Sequence, residues 1–144
     1  MACRAQEVTF LWAKKRAYIA EFSVYSAPML VVIGTQDRYF GTNLTRIVTE
    51  AGQRSIRTAK IERLIKELKL PGCTAVLDMA WEELQGAGVL KQLVNIGRIT
   101  DNKVLCICPN TEEDLKKLAK SARAAEIFIR YDLETTFKEY LKNL

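Results

Sequence analysis

The sequence predicts an α/β domain built as a doubly wound parallel sheet with helices on both faces. Four apolar runs, 29–33, 74–78, 104–108 and 126–130, lack the inside-outside alternation of half-exposed strands and read as strands buried on both faces. Amphipathic helical stripes lie between them, so that strand and helix alternate about five times, the pattern that gives a parallel sheet with crossover helices.

Each element has its own local reason. The first run, MLVVI at 29–33, precedes a stripe of Phe40, Leu44, Ile47, Val48 and Ala51, and Gly52 follows where a helix needs a left-handed residue to stop. The weak segment 54–59 has Ile56 as its only large apolar residue and fits a half-exposed edge strand. A second stripe of Ile61, Leu64, Ile65 and Leu68 is spaced i, i+3, i+4, i+7 and ends before Gly72. The run TAVLD at 74–78 follows, then a third stripe of Leu90, Leu93 and Val94, then VLCIC at 104–108. After Pro109, Thr111 with Asp114 has the spacing of a capping box, and its acids lead a run of lysines. The last run, 126–130, closes the series. Residues 1–28 keep neither a 3.6 nor a 2.0 period and read as an N-terminal extension, whether helix, hairpin or irregular; the domain proper is 29–144.

With 144 residues, 49% of them hydrophobic, the chain is long enough for one core and too short for two ordinary domains. The net charge of +5 makes attraction to acidic surfaces plausible, and no basic block stands out on a pass along the chain. Histidine is absent, which excludes serine-histidine and cysteine-histidine dyads and leaves a zinc site to thiolates and carboxylates alone. Cys3, Cys73, Cys106 and Cys108 show no C-x-x-C spacing and read as buried thiols. No apolar run approaches 18 residues and no secretory leader is evident, so the expectation is a soluble cytoplasmic protein without a membrane role.

Asp78 is the candidate functional residue, because a carboxylate ending a buried parallel strand sits where doubly wound sheets open their crevice. Around it, the order of elements resembles the receiver domain of two-component response regulators from Pro28 to Leu144. AVLDM corresponds to the strand bearing the phosphoacceptor, and Gly86 lies eight residues after Asp78 as in the D-x(7)-G pattern of receivers. SARAAEIFIR is similar to the family's small-residue turn and last strand. The resemblance implies a flavodoxin-like, CheY-like five-stranded sheet in the order 2-1-3-4-5.

It also implies a degenerate site. Receivers place two acidic residues after the first strand to hold Mg²⁺; Ile33 and Gly34 stand at those positions here, with Asp37 displaced toward a helix start. The hydroxyl residue ending the fourth strand is matched by Cys108 and the lysine of the fifth by Arg130, whose planar fork suits a permanent pair with Asp78. Phosphoryl transfer is mostly positioning and charge neutralisation, so loss of the acidic pair removes its main support.

The expected function is therefore an atypical receiver-like module acting by phosphorylation-independent protein-protein interaction, not an enzyme, with no metal and no cofactor. The alternatives are a phosphoaccepting receiver that uses Asp78 with rearranged ligands such as Asp37 or Glu82, and a nucleotide- or nucleic-acid-binding domain. A protein partner or a second copy is expected at a face carrying Lys117, Lys120, Tyr131 and Tyr140; nucleic acid is possible but unsupported. Trp81 reads equally as a partner anchor or as packing over the crevice. The stretch 34–42 lacks the lysine and spacing of a phosphate loop.

Overall fold

A computed structural model describes residues 28–86 and 88–144; the N-terminal extension expected at 1–28 lies, but for Pro28, outside the described residues. The chain forms strands β1 (Leu30–Gly34), β2 (Arg54–Thr58), β3 (Cys73–Asp78), β4 (Lys103–Cys108) and β5 (Glu126–Ile129). Helices α1 (Arg38–Glu50), α2 (Ile61–Leu68), α3 (Val89–Ile99), α4 (Glu113–Ser121) and α5 (Lys138–Lys142) alternate with them. A 3₁₀ turn, Glu82–Gln85, precedes α3, and a further 3₁₀ turn and one π turn lead from β5 into α5. All five strands are parallel, in the order β2-β1-β3-β4-β5, as expected.

The continuous apolar runs follow from the position of their strands. β3 is buried along its whole length and β1 and β4 along all but their first residues, because both of their faces are covered. One core layer joins Val31, Ile33, Val76 and Ile107 to Phe40, Leu44 and Ile47 of α1 and to Phe137 and Leu141 around α5. The other joins Val32, Ala75, Leu77 and Cys106 to Leu64 and Leu68 of α2, Leu90 and Leu93 of α3 and Ala119 of α4. Successive residues of one strand thus feed opposite layers, and each fully buried aliphatic side chain contributes about 1.5–3 kcal/mol.

Helix ends agree with the sequence in part. Gly52 and Gly72 adopt φ of +86° and +90° after α1 and α2. The capping box expected at Thr111 and Asp114 does not form: α4 starts one residue later than that spacing requires, behind Glu112, with no side-chain cap. Glu113 and Asp114 still favour this end by lying in the first turn.

Candidate functional site

The C-terminal ends of β1, β3 and β5 converge on Asp78, which is 2% exposed. Its Oδ2 accepts a hydrogen bond from Thr35 Oγ1 at 2.7 Å. Its Oδ1 accepts from Arg130 Nη2 at 3.0 Å and from the Ala80 N–H at 3.1 Å. A buried carboxylate is costly unless paired and hydrogen-bonded, and this one has a cation, a hydroxyl and an amide.

Arg130, just beyond β5, is held by more than the ion pair. Its guanidinium carbon lies 3.9 Å from the centroid of Phe40 in α1, a cation-π stack that spans from the end of the sheet to the helix over it. The fork does not grip the carboxylate with both arms, as a bidentate pair would; Thr35 takes the other oxygen. Arg130 Nε is buried with no acceptor among the described residues.

Thr35 has no place in the expected site and becomes part of it through the sheet register. Ile33 pairs with Val76 and Gly34 with Leu77, so they stop two residues and one residue short of Asp78. Ile33 points into the α1 and α5 layer, and a Cβ on Gly34 would meet Leu64 and Leu77 at 3.0 and 3.1 Å. Neither position borders the carboxylate. Thr35 is the next residue, and its hydroxyl also accepts from the Asp37 N–H at 3.1 Å.

Asp37 is committed elsewhere. It is the N-cap of α1, where its Oδ1 accepts from the Phe40 N–H at 3.1 Å, so the anion-attracting end of this helix is already served by a carboxylate of the chain itself. Glu82 lies in the 3₁₀ turn and is exposed. A shallow pocket lined by Ala80, Gln85, Pro109, Glu112, Asp114 and Leu115 opens on the β3 and β4 side and presents two carboxylates. A phosphate entering there would meet like charge.

The Mg²⁺ that the fold suggests needs several oxygen ligands. Asp78 has both oxygens engaged, Asp37 caps α1, and Thr35 donates its proton to Asp78. Among the described residues no group of three or more acidic or thiol side chains converges. The donor set does not fit a hard dication.

Cys108 ends β4 and is buried; burial pushes its thiol pKa up, with Asp78 adding in the same direction and Lys116 opposing. Cys106 is pushed up to about 12 by burial, and Cys108 adds to it. Trp81 is 2% exposed and belongs to the layer beneath α2, α3 and α4, so it is packing and not an exposed anchor. Its indole N–H has no acceptor among the described residues.

The residues expected at a partner face separate. Lys117 and Lys120 are exposed on α4, and Tyr131 is 81% exposed beyond β5, its N–H bound to Asn110 Oδ1 at 2.8 Å. Tyr140 is half-buried against Phe128, ring centroids 5.6 Å apart, with the Lys103 ammonium 5.7 Å from its ring centroid.

No protein-family model matches the chain, and no curated protein matches it. Solved structures do. FixJ-N superposes with a TM-score of 0.68 at 14% identity, over 82% of this chain and 93% of that one. A CheY-like receiver domain protein from Methanospirillum hungatei gives 0.63 at 14%, over 81% and 95%. A candidate pilus assembly protein, cpaE, from Burkholderia thailandensis gives 0.62 at 14%, over 80% and 96%. The chain has the CheY-like, flavodoxin-like fold, and at these identities the likeness is one of fold.

Proposed function

We propose that the protein is a receiver-like signalling module that works by protein-protein interaction without phosphorylation of Asp78, and that it is a binding module and not an enzyme. The carrying observation is the closure of Asp78: both carboxylate oxygens are taken, by Thr35 on one side and by Arg130 and the Ala80 amide on the other. A phosphoacceptor must present an oxygen for in-line attack beside a neutralising cation that can follow the charge. Arg130 is instead stacked on Phe40, and the neighbouring oxygen donors are a hydroxyl and a capping carboxylate. The structural neighbour named as a response regulator receiver domain protein supports signalling as the setting; the one named for pilus assembly shows that the fold alone does not choose it. The exposed Lys117, Lys120 and Tyr131 favour a protein partner or a second copy on that side.

Incubation of the full chain with acetyl phosphate and Mg²⁺, followed by intact and peptide mass spectrometry, tests this. No phosphoryl adduct is expected at Asp78. An adduct there that is missing from Asp78→Asn sinks the proposal and restores the phosphoaccepting alternative.

A further inference from the structure

The outer edge of β2 combines two features that the Asp78 site does not use. Among the described residues β2 pairs with β1 alone. The Arg54 N–H donates to Met29 O and Thr58 O accepts from the Thr35 N–H, so Arg54, Ile56 and Thr58 face the ladder. In a parallel pair the intervening residues turn their backbone groups the other way, leaving the N–H and C=O of Ser55 and Arg57 on the open side.

Charge is concentrated along the same stretch. Arg54, Arg57, Lys60, Arg63, Lys66 and Lys69 recur every third residue, against Glu62 and Glu67, and give 54–69 a charge of +4 out of the chain's +5. A pass along the sequence hides this block because its members are spaced, and the fold gathers them on β2 and the helix that follows it. All six are exposed, and none has a carboxylate within ion-pair distance among the described residues. Strand alternation puts cations on both faces of the edge. Arg54 shares the face of Ile56, which packs toward α2, whereas Arg57 lies against Gly41 and Thr42 of α1.

Basic side chains on an edge discourage pairing with a like-charged copy, and by the same Coulomb term they favour an acidic strand. Nucleic acid fits less well: two glutamates interrupt α2, and 54–69 contains no aromatic side chain on which a base could stack. We propose that the open edge of β2 docks an extended, acidic segment of a partner protein, which adds as a further parallel or antiparallel strand and sets its carboxylates against Arg54 and Arg57. The inference stands whether or not Asp78 accepts phosphate.

The test uses the full chain and a fluorescein-labelled dodecapeptide in which pairs of adjacent glutamates alternate with valine-threonine pairs, so that carboxylates reach both faces of the edge. Anisotropy is expected to show saturable binding that weakens with salt and falls about tenfold or more in the Arg54→Glu, Arg57→Glu double variant. Hydrogen exchange at the Ser55 and Arg57 amides is expected to slow on peptide addition. The same peptide N-methylated at alternate residues on its pairing edge, and one with lysine for glutamate, are expected not to bind. Ser55→Pro removes one outward N–H without touching the β1 ladder and is expected to lose binding while melting as one transition. No binding, equal binding of the N-methylated peptide, unchanged exchange at Ser55 and Arg57, or preferential binding of duplex DNA would each overturn the proposal.

Discussion

At the scale of single residues, Asp78 and Arg130 were legible as a pair, because a carboxylate ending one buried strand and a guanidinium ending another in the same sheet leave little else for either to meet. Their interdependence is measurable. Arg130→Met strips the cation from a carboxylate that is 2% exposed and is expected to destabilise the protein by roughly 2–4 kcal/mol in denaturant unfolding. Asp78→Asn in the same chain is expected to restore much of that, since the amide oxygen can accept from the Ala80 N–H and Nδ2 can donate to the Thr35 hydroxyl oxygen, without an uncompensated charge. Additive losses would mean that the two side chains are not coupled. Thr35 was not legible, because Gly34 looks like the end of the strand and in fact continues the ladder, wedged between Leu64 and Leu77 where a side chain does not fit. The resulting offset of one residue decides which side chain meets the carboxylate. Cys106 gives a separate test with a definite sign. The folded protein holds its thiol proton to about 12, whereas an ordinary thiol releases it near 9.0. Stability from this group is complete below pH 9.0 and is lost as pH rises toward 12, because the unfolded chain ionises first. The stability of Cys106→Ala should therefore fall less steeply with pH in that interval than that of the parent; equal slopes would refute the assignment.

At the scale of elements, the strands that the sequence marked most strongly are those covered on both faces, β1, β3 and β4, and the observed ends differ from the apolar runs by one residue. Gly34 and Lys103 join the ladder through backbone groups, which leave no apolar signature. β2 was marked only by Ile56 and by its neighbours, as an edge strand must be. The connections carry information that periodicity cannot show, and Asn102 is the clearest case. Buried below β4, its Oδ1 accepts from the Gly72 and Cys73 N–H groups at 3.2 and 3.1 Å, and its Nδ2 donates to Leu68 O and Leu70 O, both at 2.9 Å. One side chain thus satisfies the end of α2 and the start of β3 from a different connection, after α3. Asn102→Ala leaves those groups buried without partners and is expected to cost about 3 kcal/mol or more, with faster amide exchange at Gly72 and Cys73. A loss under about 1 kcal/mol would show that water replaces the amide at little cost.

For the whole molecule, one sheet serves two cores. Val31 and Ile33 face α1 and α5 while Val32 faces α2, and Val76 separates Ala75 and Leu77 in the same way, so neither layer has a wall of its own. Among the described residues, moreover, no helix is long and apolar enough to cross a membrane, and the core is the apolar environment in which these helices bury their stripes. Because β1, β3 and β4 contribute alternate residues to both layers, loss of either face removes the support of the strands that hold the other. The domain is therefore expected to unfold as a single cooperative unit. Leu93→Ala in the α3 layer and Leu141→Ala in the α5 layer, both fully buried, should each lower stability by about 2–5 kcal/mol. They should do so without separating the transitions seen by far-ultraviolet circular dichroism and by Trp81 fluorescence, with Trp12→Phe as the background so that Trp81 is the sole indole. Trp81 lies in the layer opposite Leu141, which makes the second variant the more demanding one. If Leu141→Ala shifted the dichroism transition and left the Trp81 transition where it was, the two layers would be separable and the shared strands would not be what couples them.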